Sequence, residues 1–93
     1  MKPLAKPVLM DFYADWCGPC RMQTPIIEAL AKDFGDKVEF LKINVDKEGD
    51  LAMEKGIFVV PTLILEKGGV ELNKWMGVTS KEELARALSD SLK

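Results

Sequence analysis

PVLMDFYADWCGPCRM, residues 7–22, runs an apolar segment up to a polar stop and then sets two cysteines at the entrance to a helix. Residues 7–14 (PVLMDFYA) are rich in strand-forming types, and a run without polar alternation fits a strand covered by helices on both faces. Asp11 interrupts that run. An uncompensated buried carboxylate carries a desolvation cost and a raised pKa, so Asp11 either handles protons or sits at a strand edge exposed by a local bulge. From 18 to 34 the apolar Met22, Ile26, Ile27, Leu30 and Phe34 recur at three- and four-residue intervals, which predicts one helical face. Pro25 lies inside that helix, removes one amide donor and predicts a kink, and Gly35 offers the stop.

Cys17 falls at the helix start, where free amides and the positive end of the helix dipole favour thiolate over thiol. Cys20 lies one turn later on the same side, a spacing that allows a disulfide to close while Cys17 stays at the solvent edge. Gly18 and Pro19 shape the intervening loop. This asymmetry predicts that Cys17 attacks a substrate disulfide and that Cys20 resolves the mixed disulfide. A bare CxxC also serves as half of a metal site or as a structural bond. Here no second half exists in the chain, and the strand-to-helix placement favours redox use.

Working outward, VEFLKINV (38–45) reads as a second strand, with Asn44 or Asp46 available to start a short helix carrying Leu51, Ala52 and Met53 and ended by Gly56. FVVPTLILE (58–66) reads as a third strand. Gly68 and Gly69 permit a tight hairpin into VELNKWMG (70–77). Ser80 and Glu83 have capping-box spacing, and Leu84, Leu88 and Leu92 then mark a final amphipathic helix. This order predicts that the first two strands are parallel through a crossover and the last two antiparallel. With no repeat, linker or boundary in view, residues 1–93 read as a single domain.

The 93 residues include thirteen basic and fifteen acidic side chains, a net charge of −2 and no histidine. A chain 47% hydrophobic and 30% charged is expected to fold around one core. Histidine catalysis and histidine metal ligation are excluded, and two cysteines cannot complete a four-thiolate zinc site, so no metal is expected. The weakly acidic balance gives no general reason to bind nucleic acid or anionic lipid. No stretch approaches the roughly 20 apolar residues of a membrane span, and the apolar run in MKPLAKPVLM is too short for a convincing signal peptide. A soluble intracellular protein is the expectation.

The sequence resembles the thioredoxin family. The resemblance rests on DFYADWCGPCRM (11–22), Pro25, Lys42, VDK (45–47), VPT (60–62), Gly69 and Gly77, and extends in order through nearly the whole chain. It implies an α/β, thioredoxin-like fold, a four-stranded mixed sheet flanked by three helices, and reduction of protein disulfides. It further implies Cys17 as nucleophile, Cys20 as resolving thiol, Asp11 as the carboxylate assisting deprotonation of Cys20, and Lys42 as its basic partner. Pro61 matches a cis proline facing the cysteines, which would expose the Val60 backbone to an extended substrate. Trp16 matches an apolar platform for partners, with a loop anchor as the alternative, and Gly77 a close-approach glycine of the substrate groove, with a turn glycine as the alternative. No tightly bound cofactor is implied, since the Cys17–Cys20 disulfide is itself the electron store. The expected partners are protein disulfides and a reductase of the thioredoxin type, acting with a cytoplasmic monomer.

Some features depart from the family pattern. The resemblance begins at the strand before the cysteines, so the family's preceding strand and helix have no counterpart, and one sheet edge is expected to be more open. Tyr13 stands where tryptophan is frequent, and Val59 where many relatives have glycine, with bulk that narrows the groove. Trp75 and Met76 add apolar surface near the opposite rim or complete packing against the last helix. Two rival readings stay open on the sequence: a thiol domain of an extracytoplasmic relay, isomerase or oxidant, and a noncovalent binding or assembly subunit.

Overall fold

A computed structural model describes residues 5–93, so the part of the leader reading that falls on residues 1–4 lies outside it. Strands β1 (Val8–Tyr13), β2 (Glu39–Asn44), β3 (Thr62–Lys67) and β4 (Val70–Met76) form one sheet in the order β2-β1-β3-β4. Helices α1 (Gly18–Phe34), α2 (Gly49–Glu54) and α3 (Lys81–Ser91) connect and cover it, with a 3-10 turn at Gly35–Lys37. β1 pairs parallel with β2 and antiparallel with β3, and β3 pairs antiparallel with β4. The fold is thioredoxin-like, a four-stranded mixed sheet with three helices.

β1 is central and buried on both faces, which accounts for its lack of polar alternation. Successive side chains point to opposite faces. Leu9, with Leu63 and Leu65 of β3, packs under Ile27 and Leu30 of α1 and Leu84 and Leu88 of α3. Met10 and Phe12 face the other way, joining Ile43 and Ile64 beneath the partly buried Leu51 of α2 and Ile57. Asp11 shares Leu9's parity, so it projects into the layer between the sheet and α1. The hairpin turns on Gly68 and Gly69, both at positive φ (61° and 81°), as their dipeptide predicts. The Ser80 hydroxyl caps α3 by accepting from the Glu83 amide at 3.2 Å.

Several expectations need correction. The third strand starts at Thr62 instead of residue 58. Pro61 has no amide to give a ladder, and Phe58 is 91% exposed, so the apolar run 57–60 lies outside the sheet. Of the predicted face of α1 only Met22 departs, at 64% exposure, because the buried stripe continues from Ile27 and Leu30 through Gln23 and Cys20. Leu92 is likewise exposed and lies beyond the end of α3. Neither Asn44 nor Asp46 caps α2: Glu48 holds the N-cap position without a side-chain bond, while Asn44 Oδ1 accepts from the Asp46 amide in the preceding turn. Trp75 is half-buried against the α1/α3 core and so completes packing, whereas Met76 is exposed.

Candidate functional site

Cys17 occupies the N-cap of α1 in extended conformation (φ −91°, ψ 111°), and its Sγ accepts the Cys20 amide at 3.2 Å. This is the position where a helix presents unsatisfied donors and partial positive charge, and both stabilise negative charge on sulfur. Cys17 and Cys20 form a disulfide with their Cα atoms 5.3 Å apart. Each residue is only 4% exposed, packed among Ala14, Tyr13, Val45 and Val60. Cys17 is therefore less open than its place at a loop end predicts. Gly18 and Pro19 form the exposed first residues of α1.

In β1, Asp11 is 1% exposed, and neither carboxylate oxygen has a hydrogen-bond partner among the described residues. The bulge-exposed alternative fails. Burial pushes its carboxyl up to about 6, and the positive charge of Lys42 pulls it partly back. Lys42 lies directly across from Asp11 in the β1–β2 register. Its ammonium reaches outward, 4.5 Å from the centroid of the Tyr13 ring and 3.3 Å from Thr24 Oγ1. Lys42 thus acts on Asp11 through space rather than by contact. A cleft of about 120 Å³ is lined by Tyr13, Arg21, Thr24, Lys42 and Cys20.

On the outer side, the Val60–Pro61 peptide is cis, and the Val60 carbonyl oxygen lies 3.6 Å from Cys17 Sγ. Trp16 is 69% exposed, with its indole N–H donating to Asp46 Oδ2 at 2.9 Å. The loop anchor is present as this bond, and the ring it holds stays exposed. Gly77 adopts φ +93°, and its amide donates to the Pro61 carbonyl at 2.8 Å. A Cβ there would meet no atom of this chain within 4 Å, so backbone conformation is what calls for glycine.

Sequence reasoning missed three groups. Gln23, fully buried, donates to the Thr79 carbonyl at 3.0 Å and accepts the Thr79 amide at 2.7 Å, joining α1 to the segment after β4. Its only signal is a polar residue on the stripe between Cys20 and Ile27. Asp46 orients Trp16 from thirty residues away, with no local sign. Phe58 is concealed in a run that reads as strand.

A disulfide at a helix N-terminus, packed at the C-terminal end of the central strand of a thioredoxin-like sheet, defines a thiol–disulfide oxidoreductase. A family model described as Thioredoxin matches residues 2–90. The thioredoxin of Alicyclobacillus acidocaldarius is 47% identical over 87 residues, covering 94% of this chain and 83% of that protein. Among solved structures, a mutant thioredoxin from Halobacterium salinarum superposes with a TM-score of 0.88 at 36% identity, over 96% of this chain and 77% of that one. Oxidised mitochondrial thioredoxin 3 from Saccharomyces cerevisiae gives 0.83 at 34% identity, over 92% and 79%. The chain belongs to the thioredoxin family.

Proposed function

We propose that residues 1–93 act as one monomeric, thioredoxin-like domain that reduces protein disulfides. The observation that carries this reading is the Cys17 sulfur held as the N-cap acceptor of α1 at 3.2 Å from the Cys20 amide, beside an exposed rim. In the dithiol form the Cys17 thiolate attacks one sulfur of a client disulfide, forming a mixed disulfide and releasing the first client thiolate. Cys20 then gives up its proton and attacks Cys17 Sγ, which forms the Cys17–Cys20 disulfide and releases the second client thiolate. Two electrons pass to the client. A reductase of the thioredoxin type returns them, and the pair itself stores them without a bound cofactor or metal.

Asp11 suits the proton step in this scheme. With a pKa of about 6 it is mostly ionised at neutral pH and close enough to neutrality to accept a proton from a thiol. Lys42 favours its ionised form. The Val60 backbone, freed from sheet pairing, would orient an extended client, with Trp16 and Gly77 bordering the same groove. A reducing compartment such as the cytoplasm fits this direction of transfer, and among the described residues no helix is long and apolar enough to cross a membrane.

The test is the equilibrium potential of the pair in a defined thiol buffer. A value of about −270 mV, the general figure for thioredoxins rather than a consequence of this geometry, supports a reductant. A value of about −180 to −120 mV would instead make the domain an isomerase or oxidant and sink the reductase reading. Retention of full activity by Cys17→Ser would establish a noncovalent role.

A further inference from the structure

Ile57, Phe58, Val59 and Val60 are four consecutive apolar residues outside any strand or helix, and Phe58 and Val59 are 91% and 47% exposed. Leaving a phenylalanine in water forgoes about 1.5–3 kcal/mol of burial, and such a run on a surface calls for a function. With Trp16 and Val45 these four residues line an apolar cleft of about 160 Å³. Trp16 is a fixed wall, because Asp46 holds its indole N–H. The cleft ends at Val60, whose carbonyl oxygen is 3.6 Å from Cys17 Sγ, so it is continuous with the site of exchange.

We propose that Phe58 and Trp16 select clients carrying one large apolar side chain, aromatic or long aliphatic, two residues from the cysteine that Cys17 attacks. The proposal rests on the reductase reading and names its substrate class. Size supports a single side chain, since an apolar cavity of about 150 Å³ accommodates one benzene-sized ring. Spacing supports the position. Val60 stands beside Cys17 and Phe58 is two residues back along the chain. In an extended client running alongside, alternate side chains point the same way, so the cysteine and the residue two away both face this surface. Charge supports the class, since the Asp46 carboxylate that holds Trp16 repels an acidic client residue there.

The experiment uses symmetrical disulfide-linked dimers of a short neutral peptide, with Phe or Asn two residues before the cysteine. A second pair carries the same change two residues after it. Single-turnover rates are measured with the reduced protein, and bis(2-hydroxyethyl) disulfide serves as a small substrate that needs no cleft. The wild type is expected to reduce the small disulfide and to prefer Phe over Asn by about tenfold in one of the two pairs. In Phe58→Ser that ratio is expected to fall below about threefold. Rapid reduction of the small disulfide with equal rates on Phe and Asn peptides in both pairs would overturn the inference and leave the reductase reading standing. A tenfold preference surviving in Phe58→Ser would also overturn it. Failure of the wild type on the small disulfide would instead remove the reductase reading beneath it.

Discussion

Between the sheet and α1 the side chains are closed off from water, whereas along the segment facing Trp16 they stand open. Asp11 and Gln23 are almost wholly buried, while Phe58 and Trp16 are mostly exposed. The usual assignment of side chains is inverted, with polar groups inside and apolar groups outside. Thr79 satisfies Gln23, but the unpartnered Asp11 and the exposed Phe58 and Trp16 cost free energy. On the inner side the cost takes the form of a perturbed acid, which is useful for moving protons. On the outer side it takes the form of unburied area, which a partner can recover.

The largest effect expected is at the bond between the two sides. Cys17→Ser should lower disulfide reduction by at least about a thousandfold, while Cys20→Ser should accumulate a covalent client adduct visible by mass spectrometry. Normal turnover in Cys17→Ser would break the division outright.

Stability should separate the sides next. Leu30→Ala, in the wholly buried layer under α1, is expected to cost about 2–5 kcal/mol in urea unfolding, against a change within about 0.5 kcal/mol for Phe58→Ser. Similar losses for both would mean that Phe58 packs in solution.

Asp11 gives the pH-dependent test. Its folded pKa of about 6 lies above the ordinary value of 3.8, so the folded protein binds the proton more tightly than the unfolded chain. The stability this provides is full below about pH 4 and is lost as pH rises through 6, a difference of about 3 kcal/mol. Asp11→Asn should therefore exceed the wild type in stability at pH 8 by about that amount and match it near pH 4. A gap independent of pH would show that charge is not the cause. The same variant should lose the inflection near pH 6 in the rate at which Cys20 resolves a mixed disulfide.

The smallest effect belongs to the outer side. Asp46→Ala removes an exposed hydrogen bond to Trp16 and should change stability by no more than about 0.5 kcal/mol, while indole fluorescence reports a freer ring.

Much of this arrangement was legible in sequence. Cys17, Cys20 and the helix they open follow from local chemistry, as do the Gly68–Gly69 turn and the Ser80 cap. What escaped depends on distant partners. An apolar stretch such as 58–60 looks like strand until Pro61 and the position of Thr62 decide where the ladder begins. Met22 fits the periodic pattern better than Gln23 does, yet Gln23 is buried because both ends of its amide find Thr79, fifty-six residues on. Asp11 was recognisable as an anomaly, but its lack of any bonding partner required the fold.

The Gln23–Thr79 pair also has a kinetic meaning. Thr79 lies in neither strand nor helix, yet its buried amide is held at 2.7 Å by a side chain of the longest helix. Releasing it breaks a buried bond between α1 and the segment after β4. In heavy water this loop amide should trade its hydrogen for deuterium on the timescale of whole-molecule opening, as slowly as the central strand β1.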